Sequence, residues 1–214
     1  MVIPRKARRI TYSTEIRELK KRLKLDESQK AIVIGSILGD ATLELNWSKT
    51  NCRMRIDHSI KQEDYVRLKY TILKDWVLTE PKYYKPHRSI WFRTISHPNL
   101  TELWKIFYKN KKKIIPENIA ELIQNPLTVA TWFMDDGNVR RRNSRIISYD
   151  LNTQSFTYAE NEKLLNALKT VYGISCSLHK NHNRHRIYIG TNEKNKFQKI
   201  IRKLSTPSLK YKLQ

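Results

Sequence analysis

The sequence contains little glycine and little cysteine, and it lacks long hydrophobic runs. Only 5 of its 214 residues are glycine and only 2 are cysteine. No stretch approaches the roughly 18 consecutive apolar residues that a membrane-spanning helix requires. Five glycines leave little room for a glycine-rich phosphate loop, and Cys52 and Cys176 can form at most one disulfide. These absences weigh against a membrane span, a phosphate-loop kinase and a disulfide-stabilised secreted domain, and we expect a reducing compartment.

Acidic residues are also scarce relative to basic ones. The 42 Lys and Arg residues outnumber 20 Asp and Glu residues, which gives a formal net charge of +22. Hydrophobic residues make up 39% of the chain and aromatic residues 10%, which is too many for a disordered polyelectrolyte. We therefore expect a folded protein of one domain or two small ones. Its expected partner is a polyanion, and nucleic acid is the commonest polyanion.

The N-terminal segment is strongly basic. Residues 1–24 carry nine Lys or Arg residues and two Glu residues, without an apolar signal-peptide stretch. A transit peptide would be similarly basic, but Glu15, Glu18 and the helical pattern of residues 15–25 argue against one. We predict that residues 1–25 form a basic arm along a phosphate backbone, with a solvated tail as the alternative. The expected location is a bacterial cytoplasm or an organelle matrix, without a membrane partner.

Segments of the chain recur in the same order at a nearly constant offset. IVIGSILGDATL (32–43) matches TVATWFMDDGNV (128–139), and both are apolar helical patterns that end in an acid. The two acids, Asp40 and Asp136, are 96 residues apart. Farther along, IDHS matches NTQS and SIWFRT matches RIYIGT at almost the same offset. A duplicated unit is the economical interpretation.

Both halves are predicted to contain the same series of elements. The first repeated helix begins near Asp26 or Ser28, and the second begins at Asn125 and ends at Gly137, a residue suited to a left-handed C-cap. The predicted strands and helices that follow are 42–47, 51–59, 61–77, 82–86, 89–95 and 98–109 in the first half, and 138–142, 145–153, 157–172, 174–180, 185–190 and 192–204 in the second. The predicted fold class is therefore α+β, with two αββαββα repeats.

The repeated acids occupy helix ends, where a negative charge is unfavourable. An acid in the last turn costs about 0.3–1 kcal/mol unless a cation lies close, because the unpaired carbonyls there are partly negative. The i,i+4 spacing of Gly35 and Gly39 would let the two helices pack closely, so that both carboxylates and the neighbouring carbonyls converge. We predict a Mg²⁺ site at Asp40 and Asp136, with Gly39 and Asp135 beside them. Taken singly, each motif could instead be a simple helix-ending turn.

The repeated segments resemble a known family. VIGSILGDA (33–41) and VATWFMDDG (129–137) resemble the two motifs of the LAGLIDADG homing endonucleases, and the αββαββα unit resembles the fold of that family. The resemblance covers residues 26–212. It implies two pseudo-symmetric repeats that form a saddle of antiparallel sheets, with the motif helices at their interface. The implied boundaries are a first repeat at 26–110, a linker at 111–125, and a second repeat with its C-terminal tail at 126–214.

The resemblance also implies site residues and an activity. Asp40 and Asp136, the last acids of the motifs, would be essential metal ligands. The segments KKKIIP and PSLKYK would bring Lys113 and Lys212 close to the two scissile phosphates. The implied reaction is Mg²⁺-dependent, site-specific cleavage of both DNA strands, which leaves short 3′ overhangs. Mn²⁺ is expected to substitute for Mg²⁺, and Ca²⁺ is expected to bind without supporting cleavage.

The two motifs differ from the family pattern and from each other. Ala41 stands where the family more often has glycine, and Thr131 and Met134 replace small residues of the second motif. These departures indicate an asymmetric interface, as a fused duplicate allows. We therefore expect a monomer that reads a long, non-palindromic duplex site.

Alternation along the strands predicts a charged outer sheet face. Arg53, Arg55 and Asp57 share one face of their strand, and Arg186 and Tyr188 share one face of theirs. Many antiparallel α+β domains have such a face, but the net charge of +22 favours nucleic acid as its partner. The predicted DNA contacts are Arg53, Arg55, Arg88, Arg93, Arg140, Arg141, Arg142, Lys180, His182, Arg184, Arg186 and Tyr188.

His179, His182 and His185 recur at every third residue and suggest zinc as an alternative. They straddle a predicted hairpin tip, and neither cysteine is spaced to complete a tetrahedral site. Contacts to phosphates and bases are the favoured interpretation, because such hairpins can enter a groove.

Two other functions remain open from the sequence. An RNA-binding maturase of the same fold would bind intron RNA and would not cut. A DNA-binding regulator of the same fold would bind a specific sequence regardless of magnesium. The presence of both acids and both lysines favours cleavage over these alternatives.

Overall fold

The computed structural model describes residues 14–214, so most of the predicted basic arm lies outside the described residues. The first helix, α1 (Thr14–Arg22), falls within the segment predicted to be an arm. Its Ile16 side chain is buried, and the carbonyl of Lys20 lies 2.9 Å from Nε2 of His97. This part of the segment is therefore folded against the first repeat.

Two series of seven elements follow, joined by a short connecting segment. The first repeat contains α2 (Glu27–Leu38), β1 (Thr42–Leu45), β2 (Cys52–Ser59), α3 (Glu63–Ile72), β3 (Lys82–Tyr84), β4 (Ser89–Arg93) and α4 (Pro98–Phe107). The connecting segment contains β5 (Tyr108–Lys109), β6 (Lys112–Lys113) and α5 (Ile119–Leu122). The second repeat contains α6 (Pro126–Asp136), β7 (Gly137–Arg142), β8 (Arg145–Leu151), α7 (Tyr158–Tyr172), β9 (Ser177–Asn181), β10 (Arg184–Ile189) and α8 (Lys194–Ile201).

The two repeats form matching four-stranded antiparallel sheets. The strand order is β1-β2-β4-β3 in the first sheet and β7-β8-β10-β9 in the second. In both sheets the second and fourth strands of the repeat pair in the centre. The α+β fold class with two repeated αββαββα units is therefore confirmed.

The motif helices α2 and α6 pack against each other at the centre of the molecule. Asp26 caps α2 and forms a capping box with Gln29, and Asn125 caps α6, whose first residue is Pro126. Every residue of α2 from Ala31 to Leu38 is buried, as is usual for a helix enclosed on all sides. Within residues 14–214, no helix combines the length and apolar character needed to cross a membrane.

The absence of a side chain at Gly35 allows the two motif helices to approach closely. A Cβ atom added to Gly35 would lie 2.4 Å from the carbonyl oxygen of Thr128 and 2.6 Å from Cβ of Thr131. Only glycine allows this approach, because atoms at such distances overlap. The glycine of the first motif therefore accommodates the bulkier threonine of the second.

The structure corrects several predicted element boundaries. The predicted helix 61–77 is divided into a 3₁₀ turn at Ile60–Gln62, helix α3, and a second 3₁₀ turn at Lys74–Trp76, which brings the buried Trp76 ring within 3.2 Å of Gln29. The predicted strand 82–86 ends at Tyr84, because Pro86 lacks the amide that a strand ladder needs.

The closing helix of the first repeat is shorter than the predicted 98–109. It ends at Phe107, and the chain turns at once into the β5–β6 hairpin. Asn110 and Lys111 make this turn with positive φ angles of 51° and 64°. The hairpin carries Lys113 back towards the motif helices.

The prediction of a left-handed C-cap at Gly137 was wrong. Gly137 has a φ of −87° and is the first residue of β7. A Cβ atom at this position would lie 2.0 Å from the Phe133 ring. Glycine is needed here for space rather than for its backbone freedom.

Candidate active site

The two motif acids lie at corresponding ends of α2 and α6. Asp40 follows the C-cap residue Gly39, and its side chain is 42% exposed. Burial and the negative charge of Asp135 raise the pKa of Asp40. Burial and the charges of Asp40 and Asp135 raise the pKa of Asp136 to about 7. The negative charge of Asp40 therefore acts on Asp136 across the helix interface, and their joint binding of one metal stays a prediction.

The two predicted lysines lie at the ends of the motif helices. Lys113 Nζ donates to the carbonyl oxygen of Gly39 at 2.7 Å. Lys212 Nζ donates to the carbonyl oxygens of Phe133 at 3.2 Å and Met134 at 2.8 Å. Burial lowers the pKa of both lysines while the nearby acids oppose this effect, and the pKa of Lys212 falls to about 8. Each lysine thus compensates the partial negative charge of a helix end.

Asp135 precedes Asp136 and is fully enclosed. Its two carboxylate oxygens accept hydrogen bonds from Lys69 Nζ at 2.7 and 2.9 Å, and Oδ1 also accepts one from the Tyr65 hydroxyl at 2.6 Å. Burial acts to raise the pKa of Asp135, but the charges of Lys69 and His58 and these hydrogen bonds lower it. Asp135 is therefore an ionised carboxylate in a buried ion pair.

His58 connects this ion pair with the first motif acid. Its Nδ1 lies 3.4 Å from Oδ2 of Asp40, and its Nε2 lies 3.8 Å from Oδ1 of Asp135. Burial and the charge of Lys69 lower the pKa of His58, whereas the two acids oppose that shift. His58 therefore lies between the first motif acid and the buried ion pair.

The donor set of the site fits a divalent cation. Asp40, His58 and Asp135 offer ligand atoms within 4.8 Å of one another. Lys69 already engages both oxygens of Asp135, so this carboxylate has a cation beside it. Asp40 and Asp136 both differ from Asp135, because each has a raised pKa that a nearby cation would lower. Two partly exposed carboxylates of this kind provide the oxygen ligands that Mg²⁺ prefers.

Two other predicted metal-site atoms have protein partners. The carbonyl of Gly39 accepts the hydrogen bond from Lys113, and Asp135 binds Lys69. The prediction that Gly39 and Asp135 belong to the metal site stays a prediction. The assignment of Asp40 and Asp136 as metal ligands also stays a prediction.

The outer face of the first sheet carries the arginines predicted to contact DNA. Arg53 pairs with Glu44 at 3.4 Å on the adjacent strand. Arg55 pairs with Asp57 at 2.7 Å, and its guanidinium lies 4.8 Å from the centre of the Trp91 ring. The acids and the ring therefore favour particular orientations of these long side chains.

Two more predicted arginines lie on β4 and in the turn that precedes it. Arg93 is exposed, and its guanidinium lies 5.9 Å from the centre of the Trp91 ring. Arg88 is exposed in a tight turn with a positive φ of 47°. Both belong to the β3–β4 side of the sheet.

The outer face of the second sheet is organised around Asp150. This side chain is 3% exposed and accepts hydrogen bonds from Arg140 at 2.7 and 3.0 Å. Nε of Arg186 lies 3.7 Å from the same carboxylate. Tyr188 lies beneath the Arg140 guanidinium and stacks on His179, with ring centres 4.1 Å apart. A buried acid therefore fixes two of the predicted DNA contacts.

The remaining predicted contacts lie at the strand ends and in the β9–β10 turn of the second sheet. Arg142, Lys180 and His182 are exposed, and Nη1 of Arg184 donates to the carbonyl of Gln154 at 3.1 Å. Arg141 is exposed but donates to the carbonyl oxygens of Tyr211 and Gln214. Arg141 therefore binds the C-terminal tail of the chain.

The sequence analysis missed four residues of the site: His58, Tyr65, Lys69 and Asp150. A signal existed for Lys69, because Tyr65, Val66, Lys69 and Leu73 follow the spacing of one buried helix face. A lysine in that stripe requires a buried partner. The acid that meets it belongs to the other repeat, which a linear pattern does not reveal.

This chain is similar to known proteins over most of its length. The profile of the LAGLIDADG DNA endonuclease family matches residues 30–197. A probable intron-encoded endonuclease 1 of Wickerhamomyces canadensis is 28% identical over 201 residues, which is 88% of this chain and 85% of the relative. The cytochrome b mRNA maturase bI2 of Debaryomyces hansenii is 27% identical over 201 residues, which is 88% of this chain and 74% of the relative. The structure of the homing endonuclease I-WcaI bound to its DNA recognition sequence has a TM-score of 0.84 and 27% identity, covering 95% of this chain and 93% of that chain.

Proposed function

Since this chain belongs to the LAGLIDADG DNA endonuclease family, we propose that it is a homing endonuclease that cuts both strands of a long, specific DNA site. It is a metal-dependent phosphodiester hydrolase that acts as a monomer, because a single chain contains both motif helices. The proposed site is non-palindromic, since the two sheet faces carry different side chains. The proposed location is a bacterial cytoplasm or an organelle matrix.

One observation carries this proposal. Asp40 and Asp136 end two packed helices at corresponding positions, and each helix end is contacted by a lysine from elsewhere in the chain. In a helix pair with a purely structural role, two mutually repelling acids at adjacent helix ends would only reduce stability. Paired carboxylates with nearby cationic groups are suited to phosphodiester hydrolysis.

Asp40 and Asp136 are the proposed ligands of Mg²⁺. When bound there, the metal would activate water and neutralise charge that develops on the phosphate. Mn²⁺ is proposed to substitute, and Ca²⁺ to bind without supporting cleavage. The raised pKa of both acids supports this assignment, because each carboxylate gains from a nearby positive charge.

Lys113 and Lys212 are the proposed cationic partners of the two scissile phosphates. Each ammonium has three donor protons, and Lys212 donates hydrogen bonds to the carbonyls of Phe133 and Met134. An ammonium that is anchored in this way can stabilise a developing oxyanion without first reorganising. The lowered pKa of Lys212, about 8, makes it a weaker base than ordinary lysine but a better proton donor.

The outer faces of the two sheets are the proposed DNA-binding surface. Arg55 with Asp57, and Arg140 with Asp150, are oriented by ion pairs within each sheet. Arginines held in fixed orientations can read bases in the major groove, since less side-chain entropy is lost on binding. Cleavage is proposed to be staggered across the minor groove and to leave short 3′ overhangs.

Maturase activity is a second candidate function. The observation that favours it is the 27% identity to a relative named as a cytochrome b mRNA maturase. Binding to intron RNA would then accompany DNA cleavage or replace it. The two motif acids favour cleavage as the primary function.

The proposal is tested by digestion of a plasmid library that carries randomised sites, with purified protein in Mg²⁺ and in Ca²⁺. Sequencing of the ends should give Mg²⁺-dependent cuts on both strands of one long consensus. Asp136→Asn should abolish cleavage and leave binding in Ca²⁺ nearly unchanged, because it removes a ligand without altering the sheet faces. A fully active Asp136→Asn protein would overturn the proposal. Nucleic-acid binding without cleavage by the wild type would favour the maturase function, with intron RNA as the ligand to test.

A further inference from the structure

Helix α3 carries a buried lysine that crosses from one repeat to the other. Tyr65 and Lys69 are one turn apart on the inner face of α3, and both are fully buried. Lys69 Nζ reaches both oxygens of Asp135 in the second motif helix and lies 3.5 Å from Nε2 of His58. Its ammonium also lies 4.4 Å from the centre of the Tyr65 ring. A charge enclosed to this degree is retained only where its partners are held in place.

Asp135 in turn contacts the backbone that presents Asp40. The backbone N–H of Asp40 donates to Oδ2 of Asp135 at 3.4 Å. A Cβ atom added to Gly39 would lie 2.4 Å from Cβ of Asp135, so the carboxylate is pressed against the peptide that precedes Asp40. Movement of Asp135 would therefore move the main chain at Asp40.

The second repeat lacks this arrangement. At the offset of 96 residues that relates Asp40 to Asp136, the counterpart of Asp135 is Gly39, and that of Lys69 is Leu165. The counterpart of Tyr65 is the buried Asn161, whose amide donates to the carbonyls of its own repeat. The ion pair is thus a one-sided feature of an otherwise repeated centre.

We propose that Lys69 and Asp135 form a positioning pair that fixes the main chain, and hence the carboxylate, of Asp40 in one half of the active centre only. Lys69 binds both carboxylate oxygens of Asp135, and Asp135 accepts the hydrogen bond of the Asp40 amide. Within residues 14–214 no ion pair supports the main chain of Asp136, which belongs to α6 and whose carbonyl accepts a hydrogen bond from the Asn152 N–H at 3.0 Å. The two DNA strands therefore depend unequally on the pair, and its loss changes the ratio of their cleavage rates.

This inference rests on the proposed function and is tested by strand-resolved kinetics. In single-turnover cleavage of a duplex carrying a different label on each strand, Lys69→Met should slow one strand about tenfold to a hundredfold more than the other, as displacement of a reactive group does. Lys163→Met is the matched control, since it removes a partly exposed lysine that pairs with Glu117 away from the motif helices. The control should leave the strand ratio at the wild-type value.

Two further variants separate positioning from folding. Lys69→Met leaves an unpaired buried carboxylate and risks unfolding, whereas Lys69→Met combined with Asp135→Asn removes both charges. The double variant should fold and retain an altered strand ratio. Tyr65→Phe deletes only the hydroxyl that contacts Asp135 and should shift the ratio in the same direction by a smaller factor.

A readout independent of cleavage comes from hydrogen exchange in metal-free protein. The Asp40 amide should exchange faster in the Lys69 variants than in wild type and in Lys163→Met. Folded variants that retain the wild-type strand ratio and the wild-type Asp40 exchange rate overturn this inference alone. Absence of Mg²⁺-dependent cleavage by the wild type instead refutes the proposed function, and the exchange measurement then still decides whether the pair holds Asp40.

Discussion

Lys113 and Lys212 each donate to backbone carbonyls near the end of one motif helix. Nζ of Lys113 lies 2.7 Å from the Gly39 carbonyl, and Nζ of Lys212 lies 2.8 Å from the Met134 carbonyl. Lys113 comes from a short hairpin strand, whereas Lys212 comes from a 3₁₀ segment near the end of the chain. Unlike segments therefore supply the same charge to the two halves of the centre.

The pKa of Lys212 predicts a pH dependence of stability. Burial lowers this pKa from 10.5 to about 8 in the folded protein. Between these values the unfolded chain binds more protons, so the contribution of Lys212 to stability rises as the pH increases from about 8 towards 10.5. The unfolding free energy of wild type relative to Lys212→Met should increase by about 1–2 kcal/mol between pH 7.5 and 9.5 in urea titrations. A difference that stays constant over this interval contradicts the assignment.

Asp136→Asn is expected to stabilise the metal-free protein. The folded pKa of Asp136 is raised from 3.8 to about 7 by burial and neighbouring acids, so ionisation costs stability as the pH rises through this range. At pH 8 the variant should gain about 2 kcal/mol, a value reduced for solvent screening, and the gain should vanish near pH 4. Thermal unfolding in a chelating buffer measures the difference in Tm between the variant and wild type. Added Mg²⁺ should reduce that difference by raising the Tm of wild type.

Gly35→Ala should disrupt the contact between the motif helices. The added methyl would overlap the backbone carbonyl of Thr128, which cannot move without shifting α6. We expect a loss of about 3 kcal/mol in unfolding free energy, together with weaker cleavage, because both acids are carried by these helices. Gly190→Ala is the control, since its new atom would meet only the Tyr188 ring at 3.4 Å. Equal effects of the two substitutions would contradict the close-packed interface.

Arg141 and Arg142 should respond differently to substitution, although they are adjacent. Arg142 is exposed and proposed to contact phosphate, so Arg142→Ala should reduce the slope of log Kd against log salt by about one unit. Arg141 instead donates to the carbonyls of Tyr211 and Gln214, so Arg141→Ala should lower Tm and change the slope less. The measurement is DNA binding by each variant at several salt concentrations in Ca²⁺. Identical slopes for the two variants would contradict the different roles assigned to Arg141 and Arg142.

The repeat and its order of elements could be predicted from the sequence because they depend on local patterns. Apolar periodicity, the caps at Asp26 and Asn125, and the spacing of Asp40 and Asp136 are all linear signals. The shared strand order then follows from duplication. Local boundaries were less accurate where one residue overrides a pattern, as Pro86 does after β3.

The contacts around the acids could not be predicted from the sequence, because they join distant parts of the chain. Lys69 meets Asp135 across 66 positions, and nothing next to either residue identifies the other. Gly137 was misassigned for a different reason, since the neighbouring Phe133 ring excludes a side chain there and the sequence does not show how that ring is oriented. Linear patterns identify which residues are unusual, and packing determines what they contact.

The enclosed interface between α2 and α6 also bears on how such a protein can evolve. Gly35 fits only against a backbone placed as that of Thr128 is, so a change in one motif helix demands a compensating change in the other. Arg55 and Arg140 lie on separate sheets and face outward, so each can be substituted without a matching change in the other repeat. The two halves must coevolve at their centre, while each is free to acquire a new half-site at its surface.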